Sequence, residues 1–191
     1  MRTVIRKSII VALMLGTLNS YATGTTIVNN KSEISASLVN VKKGQHIYIK
    51  NAEGKVLHEE VIEKTGSLDK GFNFQSLQNG YYTLEINKDF QIEVRPFTVI
   101  SGQATFYTKE EKTIFKPVVR TEGNKVMVSK LDFEAAPLQV TLYFDGEVIL
   151  RETLKGEKVL KRVYNLRKDI KGKYKMVMKA NDRIYINEFS L

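Results

Sequence analysis

The chain has 191 residues, 42% of them hydrophobic, with no cysteine, no tryptophan and a formal net charge of +9. Its apolar content is enough for a core and argues against disorder as the main state. The lack of cysteine excludes disulfides, thiol catalysis, cysteine-ligated zinc and iron–sulfur clusters, so the fold rests on packing alone.

The first segment, Met1 to Ala22, has the three parts of a cleaved export signal. Arg2, Arg6 and Lys7 form a positive head, Ile9 to Leu15 are apolar, and Ser20 and Ala22 put small residues before a predicted cut after Ala22. The apolar run covers about eleven residues, where a membrane-spanning helix needs roughly 20. No later run is longer, so no transmembrane segment is expected after cleavage. The predicted location is secreted or periplasmic. Removal of these 22 residues leaves 169.

The remaining chain alternates with period two over short stretches. Ile47 and Ile49 flank Tyr48, and Tyr82, Leu84 and Ile86 share a face opposite Tyr81, Thr83 and Glu85. Phe90, Ile92 and Val94 oppose Gln91, Glu93 and Arg95; Val140, Leu142 and Phe144, Tyr174, Met176 and Met178, and Ile184 and Ile186 follow suit. This is the pattern of half-buried antiparallel strands. Turns are predicted at Glu53-Gly54, Asn79-Gly80, Asp145-Gly146, Lys171-Gly172 and Asn181-Asp182. No stretch shows helical spacing.

A shift of 92 residues lays the second half on the first. Gly54 meets Gly146, Glu60 meets Glu152, Gly80 meets Gly172, Tyr82 meets Tyr174, Ile92 meets Ile184 and Phe97 meets Phe189. Val94 meets Ile186, and Phe72 meets Tyr164. The shared positions are turn glycines and apolar residues expected to face inward, which specify a fold rather than a site. The predicted fold class is therefore all-β: two tandem antiparallel β-sandwich units, 23–101 and 102–191, after a signal at 1–22. Each would hold about seven short strands.

Two stretches carry a resemblance. Ile47 to Leu57 with Phe72-Asn73-Phe74 and Leu77 to Ile86, repeated at Leu142 to Ile149 and Ile170 to Met178, resembles the small Ig-like or fibronectin-III-like sandwiches of bacterial secreted proteins. It is also similar to the C-terminal sorting domains of type IX secretion. The resemblance implies a tyrosine corner at Tyr82 and Tyr174, each hydroxyl holding a loop.

Residues for chemistry are sparse. His46 and His58 lack a second ligand at metal spacing. Glu59 and Glu60 are adjacent, so on a strand they face opposite sides; the same holds for Glu110 and Glu111. No nucleophile elbow or phosphate loop occurs. The chain reads as a non-enzyme without a cofactor or metal site.

Charge is uneven. Residues 23–101 hold nine Lys/Arg and nine Asp/Glu, while 102–191 hold eighteen and twelve. Lys173, Lys175 and Lys179 would share the face opposite Tyr174, Met176 and Met178, forming a basic stripe. With Lys161, Arg162, Arg167 and Lys171 they form the candidate polyanion-binding set. Such a set attracts acidic glycan or lipopolysaccharide, and equally keeps a sheet face soluble and its edge unpaired. Export argues against nucleic acid as the normal partner. The leading reading is an exported structural or interaction protein with a protein partner. The alternative is a polyanion- or carbohydrate-binding envelope protein.

Overall fold

The structure, a computed structural model, describes residues 29–30, 33–156 and 158–191. The predicted export signal lies outside them. Strands dominate, and the one helical element among the described residues is a 3-10 turn at Thr108–Glu110.

The first unit opens with β1 (Asn29–Asn30), β2 (Glu33–Val41), β3 (His46–Asn51), β4 (Val56–Val61) and β5 (Gly66–Phe72). It continues with β6 (Gly80–Asn87), β7 (Gln91–Ile100), β8 (Gln103–Phe106) and β9 (Lys112–Phe115). One sheet has the order β1-β2-β5; the other runs β4-β3-β6-β7-β8, with β9 also on β7. The second unit has β10 (Val118–Glu122), β11 (Lys125–Leu131), β12 (Leu138–Phe144), β13 (Glu147–Leu154), β14 (Val159–Asn165), β15 (Lys173–Ala180) and β16 (Arg183–Ser190). Its sheets run β10-β11-β14 and β13-β12-β15-β16. Every pairing is antiparallel. The protein is all-β, and each unit is a sandwich of two sheets.

Each sandwich has its own core. In the first, Leu38, Val41 and Phe72 from one sheet meet Ile47, Leu84, Ile86, Phe97 and Val99 from the other. In the second, Val126, Val128 and Leu160 meet Leu138, Val140, Leu142, Met176 and Met178. Burying side chains of this size contributes about 1.5–3 kcal/mol each, which is what a fold without disulfides requires. The tyrosine corners form as expected. Tyr82 Oη donates to the Gln78 carbonyl at 2.7 Å, and Tyr174 Oη to that of Ile170 at 3.5 Å.

Two sequence expectations change. Asn79-Gly80 and Lys171-Gly172, predicted as turns between strands, are strand entries. They lead into β6 and β15, whose preceding strands β5 and β14 lie in the opposite sheet, so the chain there crosses between layers. Ile92, Val94, Ile184 and Ile186 do not face the sandwich cores. Tyr82 lies opposite Phe97 and Tyr174 opposite Phe189, which fixes the odd-numbered residues of β7 and β16 as core-facing. The period of two is right, but both faces of these strands carry apolar side chains, so periodicity alone does not say which face turns in.

Downstream of residue 101, β8 and β9 still hydrogen-bond to β7. There Ile114 packs on Ile92 and Val94, forming a small cluster outside the main core. The equivalent strand of the second unit, β16, pairs with β15 alone among the described strands.

Candidate functional site

β15 and its neighbours position the basic face. Tyr174, Met176 and Met178 turn into the core, so Lys173, Lys175 and Lys179 turn out. The registers set Lys175 between Tyr143 on β12 and Glu188 on β16, and Lys179 between Gln139 and Ile184. Lys175 Nζ lies 4.9 Å from the centroid of the Tyr143 ring, within cation–π range. Along one end of this face runs a groove of about 470 Å³, lined by Tyr143, Asp145, Lys173, Lys175 and Glu188 among others. Two lysines, two carboxylates and an aromatic ring thus converge there.

The other members of the basic set stand elsewhere. Lys161 and Arg162 lie on β14, in the opposite sheet. Arg162 is bonded to Glu152, and Arg167 Nη2 donates to Asp169 Oδ2 at 2.6 Å. Lys171 is exposed in the connection before β15. The fold therefore brings together Lys173, Lys175 and Lys179, and separates them from Lys161 and Arg162.

The histidines are surface partners of acids. His46 Nδ1 lies 2.8 Å from Glu59 Oε1, and His58 Nε2 lies 3.7 Å from Glu60. Among the described residues, no group of three or more His, Cys, Asp or Glu could hold a metal ion.

The sequence reading missed a buried ionic cluster between the units. Glu85, on the outer face of β6, is only 4% exposed. Arg183 Nη1 and Nη2 donate to its two oxygens, and Lys50 Nζ donates to Oε2 at 2.7 Å. Burial pushes the Glu85 carboxyl up, but the hydrogen bonds and charges of Arg183 and Lys50 outweigh it and hold the group below the usual range. No local pattern marks this site, because Glu85 reads as an ordinary solvent-facing strand position until the second unit covers it.

A second missed feature is repeated. Lys70 Nζ lies 2.5 Å from Glu60 Oε1, and Arg162 bonds Glu152. The shift of 92 that relates Glu60 to Glu152 also relates Lys70 to Arg162. In both units the pair clasps one sheet to the other, from β4 to β5 and from β13 to β14. The repeat contained this signal, since both partners shift together. In the second unit Tyr164 Oη also donates to Glu152, at 3.0 Å. Burial and the Glu152 carboxylate push the Tyr164 phenol well up.

Comparison with known proteins agrees with the fold. The family model of the secretion system C-terminal sorting domain matches residues 24–100. No curated protein matches. Among solved structures, a "Biofilm associated protein - BSP domain" chain is similar at 14% identity over 84% of this chain and 27% of that one, with a TM-score of 0.28. A superposition that loose carries no argument, and this chain spans only about a quarter of that chain's length. The sorting-domain match on residues 24–100 falls on the first β-sandwich unit and covers less than half of the chain.

Proposed function

We propose that this protein is an exported, non-enzymatic structural or interaction module whose leader is removed after Ala22. The observation that carries the reading is the sorting-domain match over the first unit. The leader pattern supports it independently, since a positive head, a short apolar run and small residues before the cut are what a signal peptidase reads. Glu60, Glu152 and Glu85 are engaged in ion pairs that join sheets or units, a structural use. Cell fractionation with N-terminal sequencing tests the reading. A mature chain beginning at Thr23 outside the cytoplasm is expected; an uncut cytoplasmic chain beginning at Met1 would sink it.

The basic face favours a second reading, an envelope protein that binds acidic glycan or another carbohydrate. Lys173, Lys175 and Lys179 share one sheet face, and Tyr143 gives the adjoining groove an aromatic wall. Asp145 and Glu188 in the same groove suit a ligand with hydroxyl donors as well as charge. Heparin and lipopolysaccharide binding at low ionic strength is the probe. Binding should weaken with salt, because exposed charges are screened over about 8–10 Å. It should be lost when Lys173, Lys175 and Lys179 are all changed to Gln, and survive Lys161→Gln. No binding at low salt removes this reading.

A further inference from the structure

The two units differ at one edge, and the difference is informative. In the first, β7 is covered on its outer edge by β8 and β9, and Ile114 of β9 seals Ile92 and Val94. In the second, β16 takes the place of β7, Ile184 and Ile186 take the places of Ile92 and Val94, and no described strand covers the edge. Ile184 and Ile186 are 64% and 62% exposed.

Edge strands in soluble proteins are usually blunted by a bulge, a proline, a lysine or a short length. The opposite edges of these sheets follow that rule. The pairing of β4 with β3 shifts register between Ile49 and Lys50, and that of β13 with β12 shifts between Leu142 and Tyr143. β16 has none of these devices. It spans eight residues, contains no proline or lysine, and pairs with β15 without a register shift. Its one arginine, Arg183, is held by Glu85.

We propose that the free edge of β16 pairs antiparallel with β16 of a second copy of this chain, joining two four-stranded sheets into one of eight strands. The first unit shows the chemistry that covers such an edge: an antiparallel strand bringing isoleucine onto isoleucine, as Ile114 does on Ile92. A second copy supplies the same chemistry. Pairing centred on Tyr185 sets Ile184 opposite Ile186 of the partner subunit, twice by symmetry, so four isoleucines close into one stripe. This arrangement is isologous, the commonest form of oligomer interface. In this register Lys179 is set two residues along from the point opposite its counterpart across the two β16 strands, about 16 Å away at a strand spacing of about 4.8 Å, and Lys175 and Lys173 stand farther still from theirs. These distances exceed the Debye length at physiological salt, about 8 Å. The lysine repulsion is therefore largely screened, and association should change little with salt, unlike polyanion binding. The proposal deepens the reading of the protein as an interaction module by naming its partner.

Sedimentation velocity of the mature chain over a range of concentrations tests it. A monomer–dimer equilibrium is expected, little changed between about 0.05 M and about 0.5 M salt, where Debye lengths are roughly 14 and 4 Å. Ile186→Lys and Ile184→Lys should each raise the dissociation constant about tenfold or more, a loss typical of a central apolar contact. Val163→Lys, at an exposed valine on β14, should leave it unchanged. All three positions are solvent-facing in the single chain, so the variants should fold. A chain that stays monomeric at every concentration overturns the proposal, and so does a dimer indifferent to both isoleucine substitutions. Either result leaves the export reading standing, since that fails only on finding the uncut chain in the cytoplasm.

Discussion

Glu85 on β6 and Arg183 on β16 come from different units, 98 positions apart, and form a two-point hydrogen-bonded ion pair at 3.1 and 2.5 Å. Lys50 completes the site from β3. A carboxylate this buried costs several kcal/mol to desolvate and is tolerated only when paired. The pair therefore ties the outer face of the first unit to the end of the β15–β16 hairpin.

Acid should loosen this junction. The Glu85 carboxyl is held below its ordinary range in the folded chain, by Arg183 and Lys50 against the opposing effect of burial. A depressed carboxylate contributes stability that is fully present above the unfolded value, about 4.3. It is lost as pH falls through the lower folded value. Urea unfolding followed from pH 7 to pH 3 should show a fall in stability below about pH 4.3, and Glu85→Gln should flatten that part of the profile. At pH 7, Glu85→Gln should cost about 2 kcal/mol, below the 3–5 of a sealed pair because Arg183 retains some contact with water. An unchanged acid limb in Glu85→Gln would show that other carboxylates set it.

The repeated clasp should behave alike in both units. Glu60 with Lys70 and Glu152 with Arg162 are partly exposed pairs, and such pairs contribute about 0.2–1 kcal/mol in double-mutant cycles. The Glu152 site should sit at the upper end, because its carboxylate also accepts from Tyr164. Cycles on Glu60→Gln/Lys70→Met and Glu152→Gln/Arg162→Met, read by urea midpoint, check this. A larger coupling in the first unit would contradict it.

Three tyrosines should answer differently to loss of their hydroxyl. Tyr82→Phe removes a 2.7 Å bond to a loop carbonyl and should cost about 1 kcal/mol, the usual net value of a hydrogen bond. Tyr174→Phe breaks a bond of 3.5 Å, at the limit of useful length, and should cost less than about 0.5 kcal/mol. Tyr185 has a buried hydroxyl without a partner among the described residues. An unsatisfied buried group costs about 1–3 kcal/mol, so Tyr185→Phe should stabilise. Thermal midpoints should rise in that order, lowest for Tyr82→Phe and highest for Tyr185→Phe.

The period-two pattern showed the strands and the shift of 92 showed the doubling, because both rest on local side-chain alternation that survives without tertiary context. Which face of β7 and β16 turns inward was hidden, since Phe97 and Val99 compete with Ile92 and Val94 and only strand pairing decides. Asn79-Gly80 carries a turn signal in its dipeptide, and only the sheet order shows that Gly80 opens a strand after a crossover between sheets. The basic stripe at Lys173, Lys175 and Lys179 was legible from alternation along one strand. Its separation from Lys161 and Arg162 was not, as they sit on the other sheet. The Glu85 site was least legible, because its partners come from a different strand and a different unit.

Gly80 and Gly172 are equivalent in the repeat, but their surroundings are not. A Cβ added at Gly172 would lie 2.6 Å from Phe144 Cε2 and 2.9 Å from Cζ, whereas at Gly80 the nearest atoms, in the Tyr82 ring, are 3.8 Å away. The difference comes from the residue opposite the corner tyrosine. Phe144 lies opposite Tyr174, while Asn51 lies opposite Tyr82. The Phe144 ring cannot retreat freely, because it packs on Tyr174 with ring centroids 4.9 Å apart. Gly172→Ala should therefore cost about 1–3 kcal/mol, as overpacking does. Gly80→Ala meets no clash and requires no positive φ, so it should stabilise by about 0.4–1 kcal/mol through the unfolded chain. Shortening the opposing ring supplies the decisive control. In a Phe144→Leu background the penalty at Gly172 should shrink by more than half, while the Gly80 effect stays the same. Equal effects of Gly172→Ala in both backgrounds would show that the glycine is needed for the crossover backbone and not for the ring.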